Sequence, residues 1–384
     1  MKRLVVLLLA ATLAACAAFP ALQSPDSLFN DALFAAPTER ISSDDVFAAS
    51  PEMKRYVETT IAAELATKGR QQALFDALYS KGQLRLEYES DSTRNAQEAF
   101  AARAGNCLSL VIMTAAFAKE LDLSVRFQEV YADEALGRNG DVYLSIGHVN
   151  VTLGNRYRYV GSSHYEGDSL TIDFLPPAEI RGVRTRVIGE KTVVAMYMNN
   201  RAVEALAAGR LDDAYWWARA AIGQDPKFGS AYNTLGVVYQ RHGNLAEADR
   251  ALTYALARDP WSAPVMSNLI AVLKTQGRGA EAAEVAARLA RLEPDPPFVF
   301  FNRGVAAMRK GDYRTAKEMF AKEVEREPYY HEFHFWLGAA HVGLGEHEQA
   351  RAEMTKALQF SNRPADRELY AAKLDRIKAA RAQQ

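Results

Sequence analysis

The chain has 384 residues, enough for two domains of ordinary size, and 49% of them are hydrophobic. Its 46 Lys and Arg balance 47 Asp and Glu to a net charge of −1 with no block of like charge, which excludes the electrostatic footprint of a nucleic-acid binder. Beyond the first residues no stretch is apolar enough to cross a membrane.

Met1-Lys2-Arg3 is a short basic start, and Leu4 to Ala11 is an apolar run too short to span a bilayer as a stable helix. Leu13-Ala14-Ala15-Cys16 follows. This pattern resembles the signal peptide and lipobox of bacterial lipoproteins. The resemblance implies a signal peptide over residues 1–15, acylation of Cys16 by palmitate-like chains, and anchoring in the cell envelope. Ala17 in place of Asp after the cysteine implies the outer membrane, facing the periplasm. Residues 16–44, with Pro20, Pro25 and Pro37, read as a lipid-anchored tether.

Ser50-Pro51-Glu52-Met53 reads as an N-cap followed by Pro at the first helical position. The helix runs through Tyr56, Val57, Ile61 and Leu65 to Gly69, and a second covers Gln71 to Tyr79. Leu84 to Tyr88 alternates as an extended segment, and Ser92-Thr93 caps a short helix through Ala96, Ala99 and Phe100. Gly105-Asn106 then turns the chain into a helix that opens on Cys107 and continues through Leu108, Val111, Ile112, Ala115, Ala116 and Leu121. A thiol at a helix N-terminus sits at the positive end of the macrodipole, which favours the nucleophilic thiolate. With Cys16 acylated, Cys107 has no disulfide partner, and an unpaired thiol in an oxidising compartment is a liability unless buried or used. Cys107 is therefore either a nucleophile or a small buried hydrophobe.

After this helix the period changes to two. Leu123 to Tyr131 reads as a strand, Ala132 to Asp141 as a polar loop and Tyr143 to Leu153 as a second strand. Gly154-Asn155 is a turn signal leading to a third strand over Arg156 to Val160, and Leu170 to Phe174 is a fourth that ends at Pro176-Pro177. On strand parity His148 shares a face with Asn150 and Thr152, opposite Val149 and Val151. Asp173 shares one with Thr171, opposite Leu170, Ile172 and Phe174. His148 suits a base for Cys107, and Asp173 suits the group that orients the imidazole. His164, in a loop with Asp168, competes for the base. Asn106 is either an oxyanion donor beside the Cys107 backbone N–H or a helix cap. Zinc held by Cys107, His148 and Asp173 is chemically allowed, but no paired Cys or HExxH spacing supports a metal, and no cofactor is called for.

Thr93-Arg94, Ala96, Glu98-Ala99-Phe100, Gly105-Asn106-Cys107-Leu108-Ser109, Gly147-His148-Val149-Asn150-Val151 and Ile172-Asp173-Phe174 together resemble the bacterial transglutaminase-like superfamily. The resemblance covers roughly residues 45 to 180. It implies a papain-like α+β fold with N-terminal helices and an antiparallel sheet, Cys107 as nucleophile, His148 as base and Asp173 as orienting acid. It also implies cleavage or rearrangement of amide bonds through a thioacyl intermediate. Where members often carry Trp before the His strand, this chain reads Tyr131-Ala132-Asp133-Glu134.

The second half repeats. Pro226, Pro260, Pro294 and Pro328 fall 34 apart, as do Gly209, Gly243, Gly277, Gly311 and Gly345, and Ala214, Ala248, Ala282, Ala316 and Ala350. This period with these residues resembles tetratricopeptide repeats, each a helix–turn–helix. Five units begin near Ala195, Gly229, Ala263, Pro297 and His331. The first has Ala202 where others have Gly236, Gly304 and Gly338. Asp366 to Ile377 fits a capping helix. Trp216-Trp217 is expected between the two halves, and the aromatics Phe298, Phe301, Tyr329, Tyr330, Phe333, Phe335 and Trp336 are expected mainly between helices.

The expected organisation is a signal peptide (1–15), a tether (16–44), a transglutaminase-like domain (45–190), an all-α solenoid (193–364) and a capping tail (365–384). The expected function is that of an anchored cysteine hydrolase or acyltransferase whose repeat groove recruits a peptide or protein. The alternatives are a non-catalytic envelope scaffold binding a protein partner through the repeats and, third, a peptidoglycan-directed amidase.

Overall fold

The computed structural model describes residues 24–79, 84, 86–89, 92–131, 136–139, 142–145, 148–155, 169–174, 184–296, 298–361 and 364–382. Cys16 and the signal-peptide expectation, His164, Asp168, the Arg156–Val160 strand and Pro176-Pro177 lie outside them.

The described part of the tether, residues 24–44, does not hang free. Two short 3₁₀ turns, Pro25–Leu28 and Asp31–Leu33, bring Leu28 and Phe34 into the core. Phe34 stacks on Tyr215 with ring centroids 4.0 Å apart. The backbone N–H of Asn30 donates to the hydroxyls of Tyr215 and Tyr239, and Thr38 donates from both backbone and hydroxyl to Asp213. Trp216 and Trp217 also serve this segment, their indole N–H groups donating to Ala35 O and Glu39 Oε1 at 2.7 and 2.9 Å. Residues 24–44 are a strap, because their apolar side chains and backbone donors find partners on the helices.

Helix α1 (Pro51–Tyr56) starts where the cap chemistry puts it, with Ser50 Oγ accepting from Met53 N. A π turn (Val57–Ile61) leads into α2 (Ala62–Tyr79), which bends at Gly69, where φ is 75° and ψ 165°. A two-residue strand β1 (Glu87–Tyr88) precedes α3 (Ala96–Ala102), whose cap is Asn95 rather than Ser92-Thr93. Asn95 and Glu98 form a reciprocal capping box that satisfies two orphan N–H groups. Strand β2 (Ala104–Gly105) pairs in parallel with β1 and hands the chain to α4 (Cys107–Glu120). Helix α4 is buried from Cys107 to Ala118, as befits a helix apolar on nearly every side.

The sheet beside α4 is antiparallel in the order β7-β6-β3-β8, built from β3 (Leu123–Tyr131), β6 (His148–Asn155), β7 (Leu170–Ile172) and β8 (Arg184–Ile188). Helix α4 packs on β3 and β6. The expected Tyr143–Leu153 strand is divided. Its first part is β5 (Val142–Ser145), which forms a separate hairpin with β4 (Leu136–Asn139) inside the expected loop. Gly154 and Asn155 continue the β6 ladder opposite Ser124 and Leu123 instead of turning. Strand β8 was not anticipated; four of its five residues are exposed, so no two-residue period marks it.

The C-terminal half is an all-helical stack of pairs: α5 (Glu190–Ala207) with α6 (Leu211–Gln224), α7 (Gly229–His242) with α8 (Leu245–Arg258), α9 (Ala263–Thr275) with α10 (Gly279–Leu292), α11 (Val299–Arg309) with α12 (Tyr313–Arg326), and α13 (His331–Gly343) with α14 (His347–Phe360). Helix α15 (Pro364–Ala382) closes the stack against α14. Gly209, Gly243, Gly277, Gly311 and Gly345 all take positive φ between 72° and 91°, the left-handed turn that ends each first helix. The recurrent Ala214, Ala248, Ala282, Ala316 and Ala350 are buried where two helices close on each other. Strand β5 lies against α7 and α9, so the sheet-containing region rests on the first helices of the second and third pairs. Among the described residues no helix is long and apolar enough to cross a membrane.

Candidate functional site

Helix α4 brings Cys107 to its first position because Gly105 and Asn106 permit a close entry. A Cβ on Gly105 would stand 2.6 Å from that of Ser109, so only glycine lets the chain pass the first turn. Asn106 is the N-cap: its Oδ1 accepts from Ser109 N and Ser109 Oγ, both at 2.9 Å, and its Nδ2 donates to Thr93 Oγ1 at 2.8 Å. Both ends of the carboxamide are engaged in capping. Of the two sequence expectations for Asn106, the structure shows the helix cap, with one amide N–H given to Thr93.

Strand β6 supplies His148, and the chain leaving β7 supplies Asp173. The ladder pairs Val151 with Ile172 and Thr152 with Thr171, so the next step places Asn150 opposite Asp173. His148 Nε2 lies 2.7 Å from Asp173 Oδ1, and Asn150 Nδ2 donates to Asp173 Oδ2 at 3.1 Å. Both oxygens of the carboxylate are thus held. The side chains of His148 and Asp173 are 8% and 7% exposed, which keeps the pair out of bulk water and strengthens it. With Nε2 given to Asp173, Nδ1 remains for the side chain of Cys107, which favours the charged imidazole.

Burial alone depresses the imidazole pKa. The hydrogen bond that the ring donates to Asp173, with the influence of Cys107 and the Asp173 charge, outweighs it and pushes His148 up to about 9. At neutral pH the ring is an imidazolium between a carboxylate and a sulfur, the arrangement that a thiolate nucleophile requires. Strand β6 and the chain leaving β7 thus bring His148 and Asp173 together, with Cys107 next to the imidazole.

Sequence reasoning missed two contributors. Asn150 was put on the His148 face, but its hold on Asp173 needed the β6–β7 register, and its Oδ1 is buried without a partner among the described residues. Glu204, on α5, accepts from the backbone N–H of Thr93 at 2.6 Å, a link across 111 residues that no local pattern signals.

The tetratricopeptide repeat family matches residues 233–297 and 301–366. No curated protein matches the chain. Among solved structures, the chain is similar to YrrB, described as a TPR protein with an unusual peptide-binding site, at 22% identity over 47% of this chain and 92% of that one, with a TM-score of 0.26. It is also similar to PilF of Pseudomonas aeruginosa, at 23% identity over 50% of this chain and 88% of that one with a TM-score of 0.31. A thermophilic TPR protein of Thermus thermophilus is similar at 21% identity over 47% and 98%, with a TM-score of 0.30. The C-terminal half of the chain carries tetratricopeptide repeats, preceded by a small sheet-containing region.

Proposed function

We propose that the protein is an interaction scaffold whose repeats hold a peptide or protein partner at their C-terminal end. The observation that carries this reading is the division of the stack's surface. The first helices of the second and third pairs have β5 beside them, whereas α13, α14 and α15 border a cavity of about 320 Å³ lined by Phe335, Ala339, Val342, Met354 and Ile377. Val342 is 42% exposed there, an apolar surface left for a partner to cover. A photo-crosslinker placed at Val342 should capture a partner in the native envelope, and Val342→Asp should abolish capture by the neighbouring Phe335 position. Capture that persists unchanged in Val342→Asp would refute the assignment.

A second reading is favoured by the convergence of Cys107, His148 and Asp173. In it the sheet-containing region is a papain-like, transglutaminase-like unit spanning about residues 45–190 that acts on amide bonds of the recruited chain. The Cys107 thiolate attacks the carbonyl carbon, forming a C–S bond. His148 passes its proton to the departing amine as the C–N bond breaks. Water or an acceptor amine then releases the acyl group and restores the thiol. The Cys107 backbone N–H, at the helix N-terminus, is the donor best placed for the oxyanion. Rapid alkylation of Cys107 at neutral pH, slowed by His148→Ala, supports this reading; equal rates in both proteins would remove it.

The envelope location and the acyl anchor at Cys16 rest on the Leu13-Ala14-Ala15-Cys16 pattern. Incorporation of labelled palmitate that is lost in Cys16→Ser tests them.

A further inference from the structure

A continuous run of hydrogen bonds joins the repeat stack to the thiol helix. Glu204, in the last turn of α5, accepts from Thr93 N at 2.6 Å. Thr93, itself 2% exposed, accepts at its Oγ1 from Asn106 Nδ2 at 2.8 Å. Asn106 in turn caps Ser109 N, two residues beyond Cys107. Ser109 Oγ receives Arg94 N at 2.8 Å while donating to Asn106, so the 93–94 segment is tied to the first turn of α4 at two points.

The carboxylate is held from its own side as well. Arg201 approaches Glu204 at 3.7 Å and binds Glu39 of the strap at 2.7 Å. Glu39 also receives the Trp217 indole and Arg210. Glu204 is therefore fixed by the first helix pair and by the strap docked on it, and its hydrogen bond to Thr93 leads on to the first turn of the thiol helix through Asn106 and through Arg94 and Ser109.

We infer that Glu204 is a positioning residue through which the first helix pair sets the entry of the thiol helix and hence the placement of Cys107. The reason is geometric. An N-cap fixes where a helix starts and how its first residue is aimed, and this cap is braced by a residue whose backbone N–H has its acceptor on the solenoid. The inference deepens the thiol reading above and rests on it for the chemical meaning of the placement. It explains why the sheet-containing region and the repeats occur in one chain: the site is completed by the stack.

The test uses the full chain and iodoacetamide, with the Cys107 peptide followed by mass spectrometry. Glu204→Ala should slow alkylation of Cys107 by about tenfold, the equivalent of one lost buried hydrogen bond. Glu204→Gln keeps an oxygen acceptor for Thr93 N and should restore the rate to within about twofold of the parent. Thr93→Val, which removes the acceptor for Asn106 while leaving the Glu204 contact, should slow alkylation as Glu204→Ala does and covers the case in which Glu204→Ala fails to fold. Alkylation of folded Glu204→Ala or Thr93→Val at the parental rate overturns the inference, as does a Glu204→Gln protein as slow as the alanine variant. His148→Ala is a separate arm: slowing by Glu204→Ala without slowing by His148→Ala keeps the brace and sinks the triad chemistry.

Discussion

Asn150 and Asp173 face each other across β6 and β7, with Asn150 Nδ2 donating to one carboxylate oxygen at 3.1 Å while the other oxygen takes His148 Nε2 at 2.7 Å. The acid is thereby oriented from the strand that carries the imidazole. Asn150→Ala removes this hold on Asp173 Oδ2 and loosens the orientation of the acid. It should slow Cys107 alkylation by about threefold to tenfold, the worth of one hydrogen bond to a charged group. An unchanged rate would show that the β6–β7 register alone fixes the acid.

Removing the charge rather than the geometry is a sharper probe of the same pair. Asp173→Asn keeps the shape of the side chain but takes away the carboxylate that raises the imidazole pKa. The His148 pKa, followed by NMR of the ring, should fall from about 9 toward the ordinary value of 6.5. A value still near 9 would mean that Cys107 alone holds the proton on the ring.

The same shift fixes the pH dependence of stability. The folded state binds the His148 proton more tightly than the unfolded state, with pKa values of about 9 and 6.5. The stabilisation is therefore complete below pH 6.5, shrinks between 6.5 and about 9, and is absent above. Thermal melting of the parent should decline over that window more steeply than melting of His148→Gln. Parallel curves would disprove the linkage.

What the sequence disclosed follows from the range of the interactions. The 34-residue step of Gly, Ala and Pro was legible because each repeat solves the same local problem with the same residue type. Cys107, His148 and Asp173 were legible because a cap, a strand parity and a second parity each place one side chain locally. The strap was not, since Leu28 and Phe34 are too sparse to show a period and its prolines resemble a linker. Glu204 was invisible for a related reason: on its own helix it is one acid among polar residues, and only the fold brings Thr93 to it. That β5 and β6 belong to two different sheets, with β5 near α7 and α9, is tertiary information that local alternation does not carry.

The strap carries a stability prediction of its own. Phe34 is buried on Tyr215 and tilts against Tyr239, so Phe34→Ala removes a ring from the junction of the first two helix pairs. The loss should be about 3 kcal/mol, as for other large-to-small changes at buried aromatics. Hydrogen exchange should rise first in α6 and the C-terminal end of α7, the parts the strap covers. Exchange confined to residues 24–40 would show that the helices stand without it.

Helix pairing in the stack depends on a size exchange between positions sixteen apart. A Cβ on Gly236 would stand 2.5 Å from Leu252, and one on Gly304 would stand 2.6 Å from Phe320. In the first pair the equivalent positions are Ala202 and Ala218, both fully buried, so a larger residue on one helix is accommodated by a smaller one opposite. Gly304→Ala should therefore cost about 1–3 kcal/mol through overpacking against the Phe320 ring. Phe320→Ala alone should cost about 3–5 kcal/mol through the cavity it leaves. The double variant Gly304→Ala/Phe320→Ala rebuilds the Ala–Ala contact of the first pair, so its cost should fall short of the sum of the two by about 1 kcal/mol or more. Chemical denaturation of the four proteins in the cycle measures this directly. Simple additivity would mean that the backbone at Gly304 yields to the extra methyl without pressing on the ring.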